Sequence, residues 1–220
     1  FHFDLNELEA SDVMFESFPL GTVNWLALLF QTGYLTIRSY DREHRLYTLD
    51  YPNLEVRDTM HQHLLAAFRE TQNTDSLPLL VKIKRALEQG KLEQMIEWIN
   101  LLFSTIPYQL FQAKQESFFH AVLHLAFSGV GMYVESEVST HKGRVDTVVH
   151  TKDSIYVMEF KLDASAASAL AQIRQRRYGT PYLDQGKAVM AIGISFSSEE
   201  KAVAEWQAMP YESLLIGEET

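Results

Sequence analysis

The stretch "GRVDTVVHTKDSIYVMEFKL", residues 143–162, reads as two β-branched, apolar strands about the polar turn "TKDS", and it carries Asp146, Glu159 and Lys161 inside them. A buried charge is costly by several kcal/mol unless it is paired or bound to a cation. Side chains alternate along a strand, so Ile155, Val157, Glu159 and Lys161 share one face while Tyr156, Met158 and Phe160 share the other. Glu159 and Lys161 are therefore neighbours, with backbone sites roughly 6–7 Å apart. In the preceding strand Arg144, Asp146 and Val148 share a face, and pairing across the turn brings Asp146 toward Glu159. Two carboxylates so placed repel unless a cation lies between them. Carboxylate oxygens suit Mg²⁺ or Mn²⁺. Such an ion lowers the pKa of bound water and polarises a phosphoryl oxygen, while Lys161 neutralises developing charge or orients the water. The competing reading is a structural ion-pair cluster at a strand edge.

Working outward, "LFQAKQESFFHAVLHLAFSG" is a long helix closing at Gly129, followed by the strands "MYVESEV", "RVDTVVH" and "IYVMEFK". "ASAASALAQIRQRRYG" is helical and "KAVMAIGISF" is a continuous apolar strand. "SSEEKAVAEWQ" opens with a Ser-x-x-Glu capping signature and is read as a last helix. The order αβββαβα predicts an α/β fold, a mixed sheet flanked by helices.

Upstream, "TVNWLALLFQTG" is helix-like, "YLTIRSY" and "RLYTLDY" are strands about "DREH", and "PNLEVRDTMHQHLLAAF" opens a helix after Asn53. Residues 1–75 are thus read as a mainly helical, winged-helix-like accessory region without a basic stripe for DNA. "ETQNTDSLP", residues 70–78, is the linker candidate, and 76–107 form a helical bridge of "LLVKIKRALEQG" and "KLEQMIEWINLLFSTI". Residues 108–220 are the domain that holds the acidic pair.

The whole chain of 220 residues has a formal net charge of −10, against non-specific coating of nucleic acid. From Gly143 to Lys187, however, seven Lys and Arg stand against five Asp and Glu, a mildly basic island. The absence of cysteine excludes disulfides, thiolate metal sites and thiol nucleophiles, and the cytoplasm is the expected compartment. No apolar run approaches the roughly 20 residues of a membrane helix. The chain starts at Phe1 in text resembling mid-protein sequence, so a fragment is expected.

Asp146 followed a dozen residues later by Glu159-Phe160-Lys161 resembles the PD-(D/E)xK nuclease superfamily, with its restriction-endonuclease-like fold, over about residues 108–206. Val145 stands where that motif usually has proline. The resemblance implies Asp146, Glu159 and the Phe160 carbonyl as ligands of Mg or Mn, Lys161 as electrostatic catalyst, and support from Glu116 and from Gln172. Tyr178 matches a tyrosine of some branches. The implied activity is metal-dependent hydrolysis of nucleic acid, DNA ahead of RNA. The alternative is a catalytically inactive nuclease-fold module that binds nucleic acid or a protein partner, a reading the acidic total charge favours. "LFQTGYLTI", "YPNLEVR", "GRVD" and "EFK" also resemble the C-terminal part of prokaryotic AAA-ATPase-like proteins carrying such a domain. An upstream ATPase module is therefore expected outside this chain, since the sequence contains no phosphate-binding Gly-x-x-x-x-Gly-Lys-Ser/Thr.

Arg174, Arg176 and Arg177, with Tyr178, are candidates for the nucleic-acid backbone, against a plain solvated helix face. Gln172 and Arg176 are spaced to share a face, as are Glu116, His120 and His124. The two histidines are read as ordinary helix surface, because "HAVLH" lacks the Glu of the His-Glu-x-x-His zinc pattern. Glu135 and Glu137 are read chiefly as exposed strand residues. His61 and His63 point in different directions on a helix, and Trp25, Trp98 and Trp206 are packing residues.

Overall fold

The computed structural model describes residues 8–11, 25–68, 77–107, 109, 115–140 and 143–216, without the side chains of 25, 68, 136–140 and 143–144. The chain divides into two compact units, Phe1–Met60 and His61–Thr220.

In the first unit β1 (Leu8–Ser11), β2 (Thr36–Asp41) and β3 (Leu46–Asp50) form an antiparallel sheet in the order β1-β3-β2. Helix α1 (Trp25–Gln31) precedes the β2–β3 hairpin, and α2 (Leu54–Phe68) follows it and runs across the boundary between units. The Asn53 side chain accepts the Val56 N–H at 2.9 Å, the capping bond that starts α2 where the sequence placed it. Ala10, Leu35 and Leu49 form the small core. Strand β1 was not foreseen: "LEAS" is four residues long with weak apolar alternation, and its pairing to β3 defines it. Of the linker candidate 70–78, residues 70–76 lie outside the described residues.

After the end of α2, the second unit continues with α3 (Leu77–Glu88) and α4 (Leu92–Ser104), then α5 (Glu116–Ser128). Of the long helix read from the sequence, 110–114 lie outside the described residues. The strands β4 (Tyr133–Thr140), β5 (Gly143–His150) and β6 (Ser154–Leu162) lead to α6 (Ala166–Arg176) and a short 3-10 helix (Thr180–Gln185). Then come β7 (Ala188–Ser197), β8 (Ala202–Pro210) and α7 (Tyr211–Ile216). The five-stranded sheet has the order β4-β5-β6-β7-β8, with only the β6/β7 pair parallel. That parallel pair needs a crossover, which α6 supplies. The mixed sheet flanked by helices is the α/β, restriction-endonuclease-like architecture expected.

The alternation in β6 divides two cores as read. Tyr156, Met158 and Phe160 join Ile192, Ile194 and Phe196 against α3, α4 and α5. Ile155 and Val157 join Val148 and Ala191 against Leu170 and Ile173 of α6.

The C-terminal helix expected in "SSEEKAVAEWQ" is instead a turn and the strand β8, so the order is αβββαββα. The Ser-x-x-Glu signature does form its bond, Ser197 Oγ accepting the Glu200 N–H at 3.0 Å, but within a turn that Lys201 closes at φ 56°. The unpaired edge of β7 then captures Ala202–Pro210 as an antiparallel neighbour, and sheet pairing overrides local helix preference.

Gly193 on β7 stands in register with Glu159 on one side and Gln207 on the other. A Cβ there would lie 2.4 Å from the Ala166 carbonyl oxygen and 3.0 Å from Ala169 Cβ, so the first turn of α6 rests directly on the strand. That turn is pinned by Ser165 Oγ accepting the Ser168 N–H (3.1 Å) and Glu205 Oε2 accepting the Ala166 N–H (3.0 Å). Gly193→Ala is expected to cost about 1–3 kcal/mol through overpacking. Chemical denaturation checks this, and an unchanged midpoint would show that α6 lifts away without cost.

Candidate active site

The backbone ladder between β5 and β6 ends at Thr147↔Met158. One residue on, a side chain takes over: Asp146 Oδ2 accepts the Phe160 N–H at 2.7 Å. The strands part at this point, and the notch between them holds the acidic pair.

Glu159 is 1% exposed. Its Oε1 accepts from Lys161 Nζ at 3.0 Å and from the Gln172 amide of α6. Its Oε2 is buried without a hydrogen-bond partner. Burial first, then the charge of Asp146, push its pKa up to about 7, against the pull of Lys161. An orphaned carboxylate oxygen beside a second carboxylate is an expensive arrangement that a divalent cation would relieve.

Burial works to lower the pKa of Lys161, but the hydrogen bond to Glu159 and the charges of Glu159, Asp146 and Glu116 outweigh it and raise the net value. Lys161 is therefore an ammonium at neutral pH, suited to neutralising charge and unsuited to acting as a base.

Glu116 opens α5, and its Oε2 accepts the Leu162 N–H at 3.0 Å, clamping the helix start to the end of β6. One turn later His120 departs from expectation. It is no ordinary surface residue: Nε2 lies 3.8 Å from Asp146 Oδ2 and 3.9 Å from Glu116 Oε1, with the ring edge-on to Phe160 at 4.9 Å. Its spacing from Glu116 was legible, but nothing local revealed that this face of α5 looks into the notch. His124 faces the buried His61, ring centroids 5.5 Å apart, whereas His63 is exposed.

On α6, Arg174 is half-buried and Arg176 exposed, while Arg177 ends the helix in a left-handed conformation, φ 55°. Tyr178, expected to face nucleic acid, is 1% exposed in the second core, and its hydroxyl hydrogen-bonds with Gln172. The ring thus supports Gln172 from behind. Glu135 points elsewhere, 2.6 Å from His150 Nε2, and the Glu137 side chain lies outside the described residues. Trp98 and Trp206 pack against the first core, and the Trp25 side chain lies outside the described residues.

Among the described residues no three His, Asp or Glu side chains converge as a ready-made metal cluster. The donors that fit a cation are Asp146, the orphaned oxygen of Glu159 and the Phe160 carbonyl between Glu159 and Lys161 in the chain. An all-oxygen set with two carboxylates suits a hard divalent cation.

A family model described as the PD-(D/E)XK nuclease superfamily matches residues 114–206, the span from the start of α5 into β8. The chain is 28% identical, over an alignment of 216 residues that covers 90% of it, to a protein of Azotobacter chroococcum mcd 1 described as "Uncharacterized protein in vnfD 5'region". It spans 40% of that relative's length. No solved structure matches the chain significantly.

Proposed function

Because residues 114–206 match a family model described as the PD-(D/E)XK nuclease superfamily, we propose that the chain hydrolyses phosphodiester bonds of nucleic acid with Mg²⁺ or Mn²⁺, DNA in preference to RNA. The observation that carries this reading is the buried, partnerless Oε2 of Glu159 beside Asp146, with the Lys161 ammonium 3.0 Å from the other oxygen. Asp146, Glu159 and the Phe160 carbonyl hold the cation, which when bound activates water and polarises the phosphoryl group. Lys161 faces the charge that develops on the scissile phosphate. Gln172, backed by Tyr178, and Glu116 fix the orientation of Glu159 and of the β6 end. Arg174 and Arg176 of α6 meet neighbouring phosphates. Among the described residues no helix is long and apolar enough to cross a membrane.

Incubating the chain with Mn²⁺ and single- and double-stranded DNA and RNA tests the proposal. Cleavage of DNA that stops on adding a chelator is expected, and four intact polymers would overturn it.

A further inference from the structure

A second constellation lies along the same strands. Tyr133 opens the edge strand β4, is 60% exposed, and stands in register with His150 of β5. Their rings are 4.8 Å apart at 57°. His150 is held from below: Nε2 lies 2.6 Å from Glu135 Oε1, and the ring meets that of Tyr182 edge-on at 5.6 Å. Tyr182, 6% exposed, donates its hydroxyl to Glu135 Oε2 at 3.5 Å. Burial and the Glu135 charge raise the Tyr182 pKa, so this donor keeps its proton. Both oxygens of Glu135 are thereby engaged in fixing aromatic rings whose outermost member, Tyr133, faces solvent.

Alternation along β5 places His150 on the same face as Asp146, four residues away or roughly 13 Å at strand spacing. An exposed aromatic braced from below, at that spacing from the acidic pair, suits a nucleobase, because every base offers a π-face and stacking tolerates sequence. A base can offer that face only when unpaired. Bases turned toward the sheet also keep the phosphates away from Glu135.

We propose that Tyr133, supported by His150, is a stacking subsite for one unpaired nucleobase, so that the chain prefers substrates single-stranded beside the cleaved bond. The proposal rests on the nucleic-acid reading above. Tyr133 stacks the base, and His150, Glu135 and Tyr182 position it.

The test is fluorescence anisotropy of the full chain with a chelator present, using a 12-nucleotide DNA single strand, the same backbone fully abasic, and a duplex. Tyr133→Ala is expected to weaken binding of the single strand about 10-fold, with Tyr133→Phe unchanged, the abasic strand already weak and indifferent to the substitution, and the duplex unaffected. Equal loss on all three ligands, no loss on the single strand, or no binding by the wild type overturns the subsite. A stacking effect of the expected size in a chain that cleaves nothing with Mn²⁺ upholds the subsite and overturns the hydrolytic reading alone.

Discussion

Asp146→Asn is expected to lower Mn²⁺-dependent cleavage about 10³-fold while leaving the fold intact, and Lys161→Ala to lower it by about 10²–10³-fold, the range for removing a preorganised electrostatic group. The asymmetry between activity and stability follows from geometry. Asp146 spends one oxygen on the Phe160 N–H, a bond the isosteric amide oxygen of asparagine also accepts. What asparagine cannot supply is the negative charge opposite Glu159. A secondary signature accompanies the loss: Asp146 is the second largest cause of the raised Glu159 pKa, so the variant's Glu159 titrates below the wild-type value of about 7. Rates under single-turnover conditions, thermal melts and a carboxylate titration by NMR check the three parts. Retained cleavage in Asp146→Asn would remove the aspartate from the mechanism.

Glu159→Gln is expected to raise the stability of the metal-free chain at pH 8 and to make no such difference at pH 5. The unfolded Glu159 carboxyl has a pKa of 4.5 and the folded one about 7. A raised carboxyl pKa means that the folded state holds a proton the unfolded state has released, so wild-type stability falls as pH rises from about 4.5 to about 7 and levels off above. The difference corresponds to about 3 kcal/mol, from 1.36 kcal/mol per pKa unit. In a chain of this size that is roughly 5–10 °C of melting temperature. Lys161 does not blur the window: its net pKa is raised above 10.5, and its stabilising contribution is lost only in more alkaline solution. A glutamine ends the dependence because it carries no charge to desolvate. Melting curves at pH 5 to 8 in chelator decide the matter, and parallel wild-type and variant profiles would show that Glu159 is not strained. A functional site that lowers the stability of its own fold is the familiar trade between activity and stability.

Much of this was legible in the residues themselves. The period-2 text of 143–162 put Tyr156, Met158 and Phe160 in one core and Ile155 and Val157 in the other, and it placed Asp146 and Glu159 together across one turn. Burial and alternation are local consequences of strand geometry, so a single stretch suffices. Glu116 and Gln172 were found through the resemblance to the nuclease superfamily, and the structure gives them contacts with the Leu162 N–H and Glu159.

Other features were decided only when distant segments met. His120 became part of the site because α5 lays its first turns against the end of β6, and Tyr178 left the candidate surface because the chain turns inward after α6. The Ser-x-x-Glu signature predicted a helix by local hydrogen bonding, yet the open edge of β7 made a strand of Ala202–Pro210. The pairing of Glu135 with His150 joins neighbouring strands, and Tyr182 reaches it only from beyond α6. Alternation and capping are short-range and can be read from neighbours in the chain, whereas the partner of an exposed helix face or an unpaired strand edge depends on long-range packing that no local pattern encodes.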